Sequence, residues 1–145
     1  MSLLDLMNAS GDALKFAEPK RPPEGIAHLK LRGHKLDEAK DSVVLTLSVI
    51  GYTQGGHGFD GDPEHYRPVF VNFRESDFHR LLRLLGQMGY TDEMKSKGIT
   101  PDLFLKESRG FQHFAGAIVY ASNPKDETNP YVNVNNLTVD KSGSI

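Results

Sequence analysis

From Gly25 the chain alternates with a period of two. Ala27, Leu29 and Leu31 are apolar, and His28, Lys30, Arg32 and His34 between them are basic, with Lys35 following. A two-residue period puts successive side chains on opposite faces, so this segment is expected as a half-buried strand with one apolar and one basic face. The charged turn Asp37-Glu38-Ala39-Lys40-Asp41 follows, and then the β-rich run Ser42 to Ile50, with Val43, Leu45, Leu47 and Val49 on one side. The two runs are expected to pair as a long hairpin.

The flanking segments narrow the choice further. Residues 1–24 are expected as an N-terminal arm, with an apolar start (Leu3, Leu4, Leu6, Met7) and a stretch holding Pro19, Pro22 and Pro23. Proline lacks the N–H that a helix needs, so the later arm should run extended. Gly51 to Glu64 is rich in glycine and is expected as a long loop or an extended hairpin tip, followed by a third strand from Tyr66 to Phe73 with Pro68 at its start. Ser76 is expected to cap a helix whose apolar residues, Phe78, Leu81, Leu82, Leu85 and Met88, form one buried stripe. Gly89 should stop that helix, and Thr91 and Thr100-Pro101 should open two short helical turns. Gly110 to Tyr120 and Tyr131 to Val139 read as two more strands, and 140–145 as a short tail.

The order is strand, strand, strand, helix, strand, strand. The expected class is mainly β with one main helix, a single domain over residues 25–139. No strand–helix alternation recurs, which disfavours a parallel doubly wound sheet. Five strands with a helix between the third and fourth is the order of the five-stranded OB-fold barrel. Gly116, mid-strand, suits the tight bend such a barrel needs. An antiparallel sheet with one helix packed on it is the competing architecture.

Composition removes several function classes. The 145 residues include no cysteine, which excludes disulfides, thiolate metal sites and a cysteine nucleophile. Seventeen basic and nineteen acidic residues leave a net charge of −2, so bulk charge cannot drive polyanion binding and only a local basic face can. No apolar run approaches the ~18 residues of a membrane span. No phosphate-binding glycine loop, nucleophile elbow or dinucleotide fingerprint is present, so no enzymatic activity and no cofactor are expected.

Two features are compatible with single-stranded nucleic acid. The basic strand carries Lys30 and Arg32 along one face, as cations tracking phosphates must be. Tyr52, Phe59 and Tyr66 lie in or beside the glycine-rich loop and are expected as stacking platforms, with Arg67 and Arg74 flanking the third strand. Phe70, Phe73, Phe78, Phe111 and Phe114 are expected in the core, while Tyr120 and Tyr131 suit either face. Asn133, Asn135 and Asn136 suit an exposed strand face or contacts to bases. A cluster of His57, Asp60, Asp62, Glu64 and His65 matches neither a calcium-loop nor a helical zinc-ligand spacing. Its acids are expected to point away from any bound phosphate.

The chain resembles the small phage-encoded single-stranded-DNA-binding proteins of the OB-fold class, and related phage and plasmid proteins found near recombination genes. The resemblance covers about residues 22–139. It rests on Pro22-Pro23-Glu24-Gly25 opening the first strand, the helix FHRLLRLLGQMGY, and the late strands GFQHFAGAIVYASN and NPYVNVNNLTV. It implies binding of single-stranded DNA without strong sequence preference, in replication or recombination, in the host cytoplasm. Proteins of those processes are then expected partners, and a homo-oligomer is compatible with the apolar start of the arm. The ending Val139-Asp140-Lys141-Ser142-Gly143-Ser144-Ile145 lacks the acidic tail that recruits partners in many such proteins. The first rival reading is a non-enzymatic structural or assembly module on the same small β-barrel, and the second is an enzyme or metal-dependent protein built on the 57–65 loop.

Overall fold

The computed structural model describes residues 19–107, 109–123, 125–126, 128–129 and 132–141. Residues 1–18 of the arm, Tyr131 and the last four residues of the tail lie outside these. The chain builds β1 (Gly25–Asp37), β2 (Ser42–Gly55), β3 (Val69–Arg74), α1 (Phe78–Met88), α2 (Asp92–Ser96), α3 (Pro101–Lys106), β4 (His113–Ala121), β5 (Val132–Asn135) and β6 (Thr138–Val139). The fold is mainly β with one main helix. All strand pairs are antiparallel, in an open sheet of order β3-β2-β1-β4-β5, with β6 also paired to β4.

The inner face carries the core. Leu29, Leu31, Leu45, Leu47, Val49, Val69, Phe73 and Phe114 of the sheet meet Leu84, Leu85 and Met88 of α1 and Phe104 of α3. Phe73 and Phe114 are buried as the sequence suggests. Phe70, Phe78 and Phe111 are not. Phe70 alternates with Val69, Val71 and Phe73, so the strand that buries those three must turn Phe70 outward. On α1 the core takes Leu84, Leu85 and Met88, with Leu81 half-buried, which leaves Phe78 and Leu82 on the helix shoulder. Phe111 precedes β4, where its N–H donates to the Met88 carbonyl.

The helix ends follow local chemistry. Gly89 closes α1 with a φ of 111°, a left-handed conformation that favours glycine. The Thr91 and Thr100 hydroxyls accept from the Met94 and Leu103 N–H groups and cap α2 and α3. Ser76 is not a cap. It sits inside a 3-10 turn, Glu75–Asp77, and Asp77 Oδ2 accepts from the Arg74 N–H instead.

Three strand boundaries differ from the sequence reading. β2 runs on through Gly51 to Gly55, because register shifts against β1 keep the ladder going past Ile50. The last strand splits in two. Gly116, with a φ of 70°, bulges β4 opposite β1, and its carbonyl accepts from Asn136 Nδ2 at 3.2 Å. Asn136 itself has a φ of 60°, so it separates β5 from β6. The third difference lies in β1. Leu31 pairs with Leu47 but Gly33 pairs with Thr46, so Arg32 is an extra residue in the ladder. A one-residue slip exchanges the faces of everything beyond it. His34 therefore pairs with Leu45 on the inner side and bonds Asp102 Oδ1 of α3 at 2.6 Å, while Lys35 takes the outer position.

Candidate nucleic-acid interface

All three helices pack on the inner face, which leaves the outer face of the sheet open among the described residues. β1 contributes Ile26, His28, Lys30 and the bulged Arg32 to it. Lys30 pairs with Ser48 of β2 on one side and His113 of β4 on the other. Phe70 of β3 lies opposite Thr46, which lies opposite Gly33. Two strand spacings of ~4.8 Å thus separate the Phe70 position from the backbone beside Arg32. Phe70 is 51% exposed. At the other end Ile118 and Tyr120 of β4 are exposed beside Asn133 and Asn135 of β5, and Asn135 Nδ2 donates to the Tyr120 hydroxyl at 3.4 Å.

Cations on this face are held loosely. Arg32 Nε donates to Ser48 Oγ at 2.9 Å, which spreads the guanidinium along the sheet. Its Nη2 lies 3.8 Å from Glu64 Oε1. That corrects one expectation: Glu64 points toward the basic face, not away. Both side chains are well exposed, so water screens the pair and it contributes little. Lys30, Arg67 and Arg74 have no ion-pair partner among the described residues. Lys30 is half-buried, and Arg67 and Arg74 are exposed at opposite ends of β3. His28 and His113 flank Lys30, and the Nδ1 of each is buried without a hydrogen-bond partner among the described residues.

The loop aromatics have a different job. Tyr52 and Phe59 meet edge to face at 5.2 Å, and Phe59 and Tyr66 lie 5.0 Å apart. Tyr66 is buried, and Tyr52 and Phe59 pack against the core. The Tyr66 hydroxyl donates to the Gly58 carbonyl and accepts from the Asp60 N–H. The Tyr52 hydroxyl donates to the Pro23 carbonyl, and burial, followed by the nearby Tyr66 phenol, holds its pKa well above the usual tyrosine range. Gly56 crosses the Tyr52 ring so closely that a Cβ there would sit 2.3 Å from it. These rings are therefore packing groups of the loop and not the open stacking platforms that their loop position suggested.

The acidic loop closes on itself. His65 Nδ1 lies 2.6 Å from Asp60 Oδ2, and its Nε2 lies 3.3 Å from Asp62 Oδ2. The bond to Asp60 is the main cause of the raised His65 pKa, and the Asp62 N–H and then His65 lower that of Asp60. Both His65 nitrogens are thereby committed, and among the described residues no group of three His, Asp or Glu side chains converges to hold a metal. Residues 19–24 are tied down beside this loop. Lys20 bridges to Tyr66, Arg21 Nη1 donates to the Asn129 carbonyl at 2.9 Å, and Glu24 Oε2 accepts from the Ala121 N–H.

Of the residues the sequence singled out for binding, Lys30, Arg32, Arg67 and Arg74 keep access to solvent, while Phe70 and His113 join the candidate face without having been placed there. The alternation of β3 was a sufficient signal for Phe70. His113 joins the face only through its long-range pairing with Lys30, which no local pattern encodes. Searches of family models, curated proteins and solved structures find no match to this chain. Among the described residues no helix is long and apolar enough to cross a membrane.

Proposed function

We propose that the protein binds single-stranded DNA on the outer face of its sheet, without strong sequence preference, in replication or recombination. The observation that carries the reading is a sheet face, uncovered among the described residues, on which Lys30 and Arg32 sit within reach of the exposed Phe70 ring. Phosphates follow the cations, releasing counterions, and bases stack on Phe70 and Tyr120, each stacked base contributing about 1–3 kcal/mol. Asn133 and Asn135 can donate to base edges. Arg67 extends the cationic track at the start of β3. We further propose that the sheet is an OB-type barrel that stops short of closure. The strand order supports this, as do the edges of β3 and β5, which flank one groove through Val71 and Phe73 on one side and Val134 and Asn135 on the other.

The test is fluorescence anisotropy with a labelled oligo-dT of about 30 nucleotides, longer than the ~4–16 nucleotides one OB fold occupies. A duplex of the same length is the control. Binding of the single strand that weakens with salt supports the reading. No binding at low salt overturns it. The outcome would then favour the assembly-module reading, in which the exposed Phe70, Ile118 and Tyr120 contact protein.

A further inference from the structure

At the tip of the β1–β2 hairpin, next to the start of α1, a groove of about 390 Å³ has a character opposite to that of the outer face. Its apolar members stand open. Leu36 is 49% exposed and Phe78 is 53% exposed, above a floor formed by the half-buried Val43 and Leu81 and the buried Phe73. Its rim carries four carboxylates, Asp37, Glu38, Asp41 and Glu75, against one guanidinium, that of Arg74. We propose that this groove docks a cationic amphipathic peptide segment of a partner protein. The segment's apolar side chains would lie against Leu36 and Phe78, and its lysines or arginines against the rim.

Three observations converge on that occupant. Contiguous exposed apolar side chains rimmed by charge mark interaction sites, and among the described residues nothing covers these. The rim's excess of carboxylates selects a cationic partner and repels an anionic one, nucleic acid included. The third is independent of charge. Ser42 lines the groove at 7% exposure, and its Oγ is buried without a hydrogen-bond partner among the described residues. Buried hydroxyls are almost always paired, so this one can take a partner where the groove wall shifts around a bound segment. Asp37 already has a structural bond, since its Oδ1 accepts from the Lys40 N–H. Glu38, Asp41 and Glu75 are the exposed rim acids on which specificity rests.

The experiment uses the full chain and two fluorescein-labelled synthetic peptides. One places leucine and lysine at helical spacing, and the other replaces each lysine by glutamate. The lysine peptide is expected to bind and the glutamate peptide is not. Phe78→Ala is expected to weaken binding about tenfold or more, as loss of a central aromatic anchor does. A Glu38→Lys, Glu75→Lys double variant is expected to reverse the preference between peptides. Its substitutions are on exposed side chains, so it keeps the test open should Phe78→Ala unfold. Equal binding of both peptides, binding unchanged in both variants, or no binding of the lysine peptide overturns the proposal. So does a concentration-dependent dimer in sedimentation that Phe78→Ala abolishes and the lysine peptide leaves intact, since the groove then belongs to a second copy. Oligo-dT affinity is a separate readout, and its loss or retention in wild type leaves these outcomes unchanged.

Discussion

Two sets of rings sit in this molecule under opposite rules. Phe59 and Tyr66 lie on or beside a glycine-rich loop and Tyr52 at the end of β2 that leads into it, where an aromatic has little core to join, yet they are packed together, and the two tyrosines are bonded to backbone. Phe70 and Tyr120 lie on strands, where an aromatic usually finds a core, yet they face solvent. The loop must be held shut over many residues without regular backbone pairing, and large rings are the means available to do so. The sheet already has one buried face and needs nothing more from the other. Exposure therefore follows the strand's phase and the loop's need for closure, not the element in which a residue falls.

The largest expected effect tests the loop set. Tyr66→Ala should lower stability by about 3–5 kcal/mol, the usual cost of removing a buried aromatic side chain. Urea unfolding measures it. A variant that kept its stability but lost DNA affinity would turn the comparison around. Next comes the sheet set. Phe70→Ala and Tyr120→Ala should each weaken oligo-dT binding by about 1–3 kcal/mol. Their unfolding midpoints should barely move, since these surface changes alter stability by about 0.5 kcal/mol or less. Lys30→Ala is a subtler probe. It should reduce the salt slope of log K by about 0.7, one phosphate contact of a single strand. Glu64→Gln should act in the other direction, strengthening binding by less than about 1 kcal/mol by freeing Arg32 of an exposed acid.

The smallest effect is a pH dependence confined to the loop. His65 has its pKa raised above the ordinary 6.5, so its contribution is complete below that value and fades as pH rises through the raised one. Asp60 has its pKa lowered below the ordinary 3.8, so its contribution is complete above that value and fades as pH falls through the lowered one. Between those two ordinary values the clamp is fully formed. Amide exchange at Asp60 and Asp62, corrected for intrinsic rates, should be slowest there and speed up above neutrality. His65→Gln should flatten that profile while leaving amides of β1 unchanged.

Much of the fold was legible because it is written in short-range chemistry. The apolar phase of β1 up to Leu31, the cap residues Thr91 and Thr100, and the stop at Gly89 each depend on residues within one turn or strand. What could not be read depends on distant partners. The bulge at Arg32 is a mismatch between β1 and β2, and it alone decides that His34 turns inward to Asp102 while Lys35 turns outward. The break at Asn136 answers the bulge at Gly116, twenty residues earlier in the chain. The candidate site was legible in part for the same reason. Lys30 and Arg32 carry their own phase, whereas the loop rings needed the closed loop to reveal their role.

The central strand β1 takes β4 as its second neighbour, with Gly25 opposite Val119, 94 residues later. At a synthesis rate of about 5–20 residues per second, the ribosome needs on the order of 5–20 s to deliver that partner. From the completion of β2 at Gly55 until then, the β1–β2 hairpin stands with one edge of its future middle strand unpaired, a template for misplaced strands. The side chains along that edge include His28, Lys30, Arg32 and Lys35. The charges that make the finished face basic thus also keep nascent chains apart, so neutralising them together should lower soluble yield during expression even where the folded protein is no less stable.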